Sequence, residues 1–194
     1  MKLEAQSALG AAFGTARPVV GFKTNGVSLR ERSDIGCVWL TVTETGVSFA
    51  AAGMDLPLAP GEIRAHGGRT ALWLSPNSWL IQCHIEEEYA LAMRLNAAFP
   101  DKRAHAVPFT DGLCWLEIFG VESQECLTEG GFVSLELGGL AVGHAKRTLV
   151  AGVPAMVVHE RESVWIVGVE RSRARYFADW LNENSHLPSF KRLA

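Results

Sequence analysis

Six histidines and four cysteines carry most of the nucleophilic and metal-binding capacity of this 194-residue chain, and their spacing leaves them little way to use it. His66, His84, His105, His144, His159 and His186 are scattered, whereas a metal site needs three or four ligands converging at short helical or hairpin spacings. No metal is expected. Cys83-His84 is the one adjacent thiol–imidazole pair, but neighbours on a strand point to opposite faces, so the adjacency makes no nucleophilic dyad. Cys37, Cys83, Cys114 and Cys126 lack a C-x-x-C pair and read as buried free thiols. Glu86, Glu87 and Glu88 resemble paired acid–base carboxylates. On successive helical positions they diverge by about 100° each, so they form a solvated helix cap instead of a shared site.

Two constellations carry more. In His144-x-x-Arg147-Thr148 an imidazole and a guanidinium stand just ahead of a strand and could hold a carboxylate or phosphate, which makes His144 and Arg147 candidate anion-binding residues. The bland alternative is an arginine tying a loop to a backbone carbonyl. Arg171, Arg173 and Arg175 stand at the start of the last helix, where each exposed cation opposes the macrodipole by about 0.3–1 kcal/mol. Either Glu160, Glu162 and Glu170 neutralise them or an acidic partner surface does. Of the six tryptophans, Trp39, Trp79, Trp115 and Trp165 fall in strands and read as core, while Trp73 is as easily read at an interface. The candidate interface set is therefore Trp73, Arg171, Arg173 and Arg175. The chain contains no G-x-G-x-x-G after a strand, no P-loop, no H-E-x-x-H and no G-x-S-x-G, and no residue is assigned a catalytic role.

The elements that must position these residues follow from periodicity and turn chemistry. Residues 1–35 show no sustained period, and 1–27 are expected to be an extended arm that orders on binding. Alternation from Cys37 to Thr43, the Thr45-Gly46 turn and Val47-Ser48-Phe49 predict a strand pair, and the glycine- and proline-rich stretch 53–69 predicts a surface loop. ALWLSPNSWLIQCHI predicts a hairpin, followed by a helix over EEEYALAMRLNAAF that Pro100 stops, with Tyr89, Ala92, Met93, Asn96 and Phe99 sharing a face. Asp111-Gly112 predicts a second hairpin between HAVPFTD and LCWLEIFG. A short helix over 121–129 ends at Gly130-Gly131, and strands over 146–151, 153–159 and 164–169 precede a last helix with Ser172 as its N-cap.

ALWLSPNSWLIQCHIEEEYALAMRL and MVVHERESVWIVGVERSRARYFADWL read alike as strand, polar turn, Trp-led strand, charged cap and helix, with Trp79 and Trp165 in equivalent places. Two such units commonly pair into one antiparallel sheet with helices on one face, the ferredoxin-like α+β arrangement. Residues 28–184 are expected to form a single domain and 185–194 a C-terminal tail. Composition bounds the rest: 48% apolar and 20% charged residues exclude disorder over most of the chain. A net charge of −3 without a basic block gives no footprint for nucleic acid. No run approaches the ~18 apolar residues of a membrane span, and no leader h-region opens the chain, so a cytoplasmic location is expected.

The run 71–81, Ala-Leu-Trp-Leu-Ser-Pro-Asn-Ser-Trp-Leu-Ile, resembles the ALWLGPDEWLL-type signature of the gamma subunit of heterotetrameric sarcosine oxidase. Leu56-Pro57-Leu58, the FG-hydrophobic-helix-GG segment at 119–131, Lys146-Arg147-Thr148-Leu149, and Val169-Glu170-Arg171-Ser172 before Trp180-Leu181 resemble that family in order. The likeness spans about residues 28–182. Departures are Ser75 and Asn77, where glycine and an acidic residue are common, and Arg173, where an aromatic is frequent. The resemblance implies the fold of the folate-binding domain of glycine-cleavage T-proteins and a non-catalytic subunit docked on the alpha subunit, and through it on beta and delta. FAD, FMN, NAD and tetrahydrofolate would then sit in partner chains that demethylate sarcosine oxidatively to glycine in sarcosine catabolism. Should this chain bind folate itself, His144 and Arg147 are the candidate contacts. A stand-alone folate-binding protein of the same fold would need a carboxylate aimed at the pterin, for which Asp111 and Glu117 are the strand-associated candidates. The K-G-C-Y-x-G-Q-E-type motif of iron–sulfur assembly relatives is not found, and a small-molecule module unrelated to folate is the third reading.

Overall fold

Several strands of this chain are apolar on both faces, and such strands must be covered on both sides. In β3 (Ile35–Val42), Val38, Leu40 and Val42 enter one core while Ile35, Cys37 and Trp39 enter another. A computed structural model describes residues 7–10, 20–23, 26–43, 53, 55–98, 104–131 and 139–184. The other strands are β1 (Val20–Lys23), β2 (Ser28–Glu31), β4 (Ile63–His66), β5 (Arg69–Ser75), β6 (Ser78–His84), β7 (Ala104–Pro108), β8 (Leu113–Phe119), β9 (His144–Val150), β10 (Val153–Arg161) and β11 (Val164–Glu170). The helices are α1 (Glu88–Ala98), α2 (Ser123–Glu129) and α3 (Ala174–Asn184). One antiparallel sheet runs β1-β2-β8-β11-β10-β9 and the other β4-β5-β6-β3-β7.

The two sheets stack through an inner core that includes Cys37, Leu72, Leu80, Trp115, Met156 and Ile166. Each carries a helix on its other face. Leu91 and Leu95 of α1 pack with Trp79 and Ile81, and Phe177 and Leu181 of α3 pack with Trp165 and Val167. The α+β class with antiparallel sheets and a helix on one face of each is the expected one. The two hairpin-plus-helix units do not share a single sheet, however: β5-β6 lies in one and β10-β11 in the other. The reason is their doubly apolar strands, which need a helix on one side and the opposite sheet on the other.

The repeat is nearly residue-for-residue. Trp73 lies opposite Trp79 in the first hairpin, and His159 lies opposite Trp165, each 86 residues further on, in the second. Both registers shift at the same place, between Trp73 and Ser75 and between His159 and Arg161. In both units a three-residue 3-10 turn, Ile85–Glu87 or Arg171–Arg173, leads into an 11-residue helix. Sheet order matches too, with β4-β5-β6-β3-β7 mirrored by β9-β10-β11-β8-β2. The place that β7 holds in the first sheet is filled in the second by β2, from early in the chain, with β1 added outside it.

Several local expectations change. Asp111-Gly112 makes no hairpin, because β7 pairs with β3 and β8 with β2 and β11, so this turn crosses between sheets. Gly112 keeps a negative φ, without the positive angles of a two-residue hairpin turn, and its missing side chain makes room for the Phe109 ring. The stretch 53–69 holds β4, paired to β5 with His66 opposite Arg69 across Gly67-Gly68, both at positive φ. β1 and β2 arise in the segment without periodicity, and Leu9 is fully buried in the core under α3. α1 buries Glu88, Leu91, Ala92 and Leu95, leaving Tyr89 and Met93 outward. Side-chain and main-chain bonds between Asn96 and Ala106, 2.8 and 2.9 Å, clamp the helix to β7 in that rotation. Ser172 lies inside the 3-10 turn, which has Glu170 at its cap position, and so it is not the N-cap of α3. The 121–129 helix does end at Gly130-Gly131, with Gly131 at positive φ. The strand at 47–49, Phe99, Pro100, His186 and the tail 185–194 lie outside the described residues.

Ala151 and Gly152 join β9 to β10 with φ of 53° and 72°, the two positive angles of a type I′ turn. Alanine is a poor choice at the first position, where asparagine is favoured. Ala151→Asn is expected to stabilise the fold by about 0.5–1 kcal/mol, read as a higher urea midpoint with unchanged slope; an equal or lower midpoint would refute this account of the turn.

Candidate functional site

The sequence signature closes on itself in three dimensions. Trp79 Nε1 donates to the Pro57 carbonyl at 2.8 Å, so the Trp-led strand holds the Leu56-Pro57-Leu58 loop against the sheet. Trp39 Nε1 donates to Ser78 Oγ at 2.7 Å, and its ring meets Phe109 edge-on at 5.0 Å. Phe109 N–H in turn donates to the Cys37 carbonyl at 2.8 Å. Thr110 Oγ1 accepts from Cys37 N–H at 2.9 Å and donates to the Glu88 carboxylate, which ties the sheet crossing to the first turn of α1.

These contacts frame three spaces. Between the sheets lies a crevice of 130 Å3 lined by Trp39, Leu74, Leu80, Phe109 and Met156, with Arg147 and Glu170 as its charged members. Where the two sheets meet edge to edge, Ala145 N–H donates to the Gly61 carbonyl at 2.9 Å and Glu62 bridges to His144. A cleft of 760 Å3 beside that seam is lined by Trp73, Leu140, Arg147, Leu149 and Pro154 among others. An open hollow of 660 Å3 gathers Asp111, Glu170, Arg171 and Ser172 with Ser7 and Ala8.

The structure brings Trp73 and Arg147 together in the seam cleft although 74 positions separate them. It does not unite His144 with Arg147. Cross-strand pairing sets His144 opposite His159 and Arg147 opposite Met156, so the two face opposite sides of β9. His144 instead places Nδ1 3.3 Å from the Val142 carbonyl. Arg171 shares the open hollow with Asp111. Arg173 Nε lies 3.3 Å from Glu170 and Arg175 Nε 3.7 Å from Asp179, so helix-local acids face both cations. Glu117 is 3% exposed and ion-pairs with Arg30 and, at 3.7 Å, with Arg161. Cys83 is buried and the adjacent His84 exposed, its ring accepting from Glu86 N–H at 3.4 Å.

Glu86 and Glu87 are exposed, as a solvated cap requires, but Glu88 is buried instead, because it turns inward to Thr110, and Glu31 is a second buried carboxylate that the sequence does not mark. Glu31 accepts from Ser7 Oγ and from Ala8 N–H at 2.9 Å, which fixes the segment that buries Leu9. Glu88 anchors the sheet crossing through Thr110. Both hold segments distant in the chain, and no local pattern marks such a partner. No group of three or more potential metal ligands occurs among the described residues. Burial pushes the thiols of Cys37, Cys114 and Cys126 up to about 12 and that of Cys83 to about 11, so none is a nucleophile at neutral pH. Arg32 donates two bonds to Asp34, 2.8 and 2.7 Å, and this pairing holds the carboxyl below its ordinary range.

A family model described as sarcosine oxidase, gamma subunit family, matches residues 42–186. The chain belongs to that family. Heterotetrameric sarcosine oxidase from Corynebacterium sp. U-96, in complex with pyrrole 2-carboxylate, contains a chain of similar fold, with a TM-score of 0.78 and 22% identity over 93% of this chain and 94% of that one. The glycine cleavage system aminomethyltransferase T from Bartonella henselae matches with a TM-score of 0.62 and 11% identity over 80% of this chain and 45% of that one. Those two likenesses establish the fold expected from the resemblance. A search of curated protein sequences finds no significant match.

The thiols give the site a direct test. A thiol-specific disulfide reagent at pH 8 is expected to leave all four cysteines of the native chain unmodified and to titrate four after unfolding. Folded thiols keep their protons above the ordinary value of 9.0 while unfolded ones release them, so this contribution to stability is present below pH 9 and is lost as pH rises toward 12. A urea midpoint that does not fall between pH 8 and 10.5 would contradict it.

Proposed function

We propose that this chain is the non-catalytic gamma subunit of a heterotetrameric sarcosine oxidase, docked on the alpha subunit and through it joined to beta and delta. The reaction it supports is the oxidative demethylation of sarcosine to glycine, in the cytoplasm, with FAD, FMN, NAD and tetrahydrofolate held by the partner subunits. The observation that carries this reading is the family match across 42–186.

The interior supports the same assignment. The crevice between the sheets, at 130 Å3, lies well below the ~300–1,000 Å3 of pockets that hold drug-sized ligands, so it has no room for a folate, and only the more open seam cleft and hollow reach that range. Neither candidate for the one carboxylate a pterin would require is well placed for it: Glu117 is taken by Arg30 and Arg161, and Asp111 lies on an open hollow. With His144 and Arg147 on opposite faces of β9, no paired anion cradle forms there. No step of the chemistry is routed through this chain. Of the interface candidates Trp73, Arg171, Arg173 and Arg175, Trp73 is the best placed, because its indole N–H is buried without a hydrogen-bond partner beside the seam cleft.

Co-production with the alpha, beta and delta subunits, followed by size-exclusion chromatography with an absorbance scan, tests the reading. The chain is expected to elute with a yellow flavoprotein complex, and alone to be colourless and to show no saturable binding of tetrahydrofolate by calorimetry. Saturable folate binding by the solitary chain, with no complex formed, would instead establish the stand-alone folate-binding protein.

A further inference from the structure

The internal repeat supplies its own control for reading the molecular surface. α1 and α3 have equal length, follow equivalent strands and occupy equivalent places on the outer faces of their sheets. Their buried faces agree, with Leu91 and Leu95 on one helix and Phe177 and Leu181 on the other. Their outward rows do not. At matched positions α3 presents Arg175, Asp179 and Glu183, with Arg175 and Asp179 paired at 3.7 Å, whereas α1 presents Tyr89, Met93 and Ala97. Tyr89 is 68% exposed and Met93 74% exposed. Beside these rows α1 also exposes Arg94 and α3 exposes Tyr176, but along the matched row itself α1 is apolar, which suits a buried setting, and α3 is charged, which suits water.

We infer that the outward row of α1, Tyr89, Met93 and Ala97, is a docking surface for a different polypeptide, an apolar face that carries a carboxylate opposite Arg94. The inference rests on the proposed subunit role and names the surface through which it acts. Arg94 lies beside Met93 near the middle of α1, is exposed, and forms no ion pair among the described residues. In a two-fold contact between copies the same patch lies on both sides, so antiparallel pairing about Met93 would bring two Arg94 side chains together without neutralisation. A second copy is thereby disfavoured and an acidic partner favoured. The remaining outward charges of the unit sit at its N-terminal end, where Glu87 is paired with Arg69 at 3.0 Å, away from the centre of the row.

The test writes the row of α3 onto α1. Tyr89→Arg, Met93→Asp and Ala97→Glu together recreate a sequence pattern that a matched helix already tolerates, so thermal unfolding is expected to stay within a few degrees of the parent. Affinity for the alpha subunit, measured by calorimetry or by dilution of the assembled complex, is expected to fall by at least about 30-fold, as for loss of a central apolar anchor. Arg94→Glu alone is expected to weaken it by about tenfold. Asp179→Ala with Glu183→Ala on α3 is expected to stay within about twofold. Parent-like affinity of the triple variant would overturn the docking surface while leaving the subunit reading intact. A parent chain that does not bind the alpha subunit would overturn the subunit reading itself. A parent chain that dimerises, and a triple variant that does not, would assign the row to a second copy and so refute the proposal.

Discussion

Two sheets apolar on both faces have one economical arrangement, which is to share a core between them and to close each outer face with a helix. The shared core is where this fold is least forgiving. Gly168 on β11 lies under the Trp115 ring, and a Cβ there would meet ring carbons at 2.6 Å. Within this sheet one of the two central strands gives up its side chain to the indole of the other, which lies in the shared core. Trp39 with Phe109, and Leu72 with Leu80, then fill the remaining interlayer space, leaving 130 Å3. An interior packed in this way stabilises the scaffold by burying apolar area. The larger spaces lie outside it, beside the seam and at the open hollow.

Where sequence reasoning succeeded, the information was local. The hairpin around Ser75-Pro76-Asn77-Ser78, the strand from Cys37, the glycine stop at 130–131 and the amphipathic last helix are all fixed by residues within a few positions of one another. Where it failed, the deciding contact was remote. The Asp111-Gly112 pair looks like a hairpin turn until β7 is seen to pair with β3, some seventy positions away. Only two glycines, Gly67 and Gly68, could have announced β4, and they stand in a stretch whose other residues suggest a loop. Strand β2 is too short to show a period, and it is defined by its partner β8.

The candidate sites divide along the same line. The buried thiols were legible because cysteine is among the residue types most often buried, and for Cys37 and Cys114 because apolar residues follow them in sequence. His144 and Arg147 misled because a spacing of three suggests proximity on a helix, whereas on the strand that forms it sends the side chains apart. Trp73 with Arg147, and Tyr89 with Met93 as an outward pair, emerge only once the sheets and the rotation of α1 are known.

The contribution of β2, from before the first half of the repeat, to the sheet of the second half bears on how such a chain is made. β2 leaves the ribosome early, yet its partner lies far downstream, with Leu29 opposite Ile118. At about 5–20 residues per second, nearly ninety residues of synthesis leave this edge unpaired for roughly 4 to 18 seconds. The first sheet, β3 to β7, is complete before that wait ends, so the half made first can serve as the platform on which the second half assembles around a strand held in reserve. An order of assembly is written into the topology, with the beginning of the chain among the last parts to find its place.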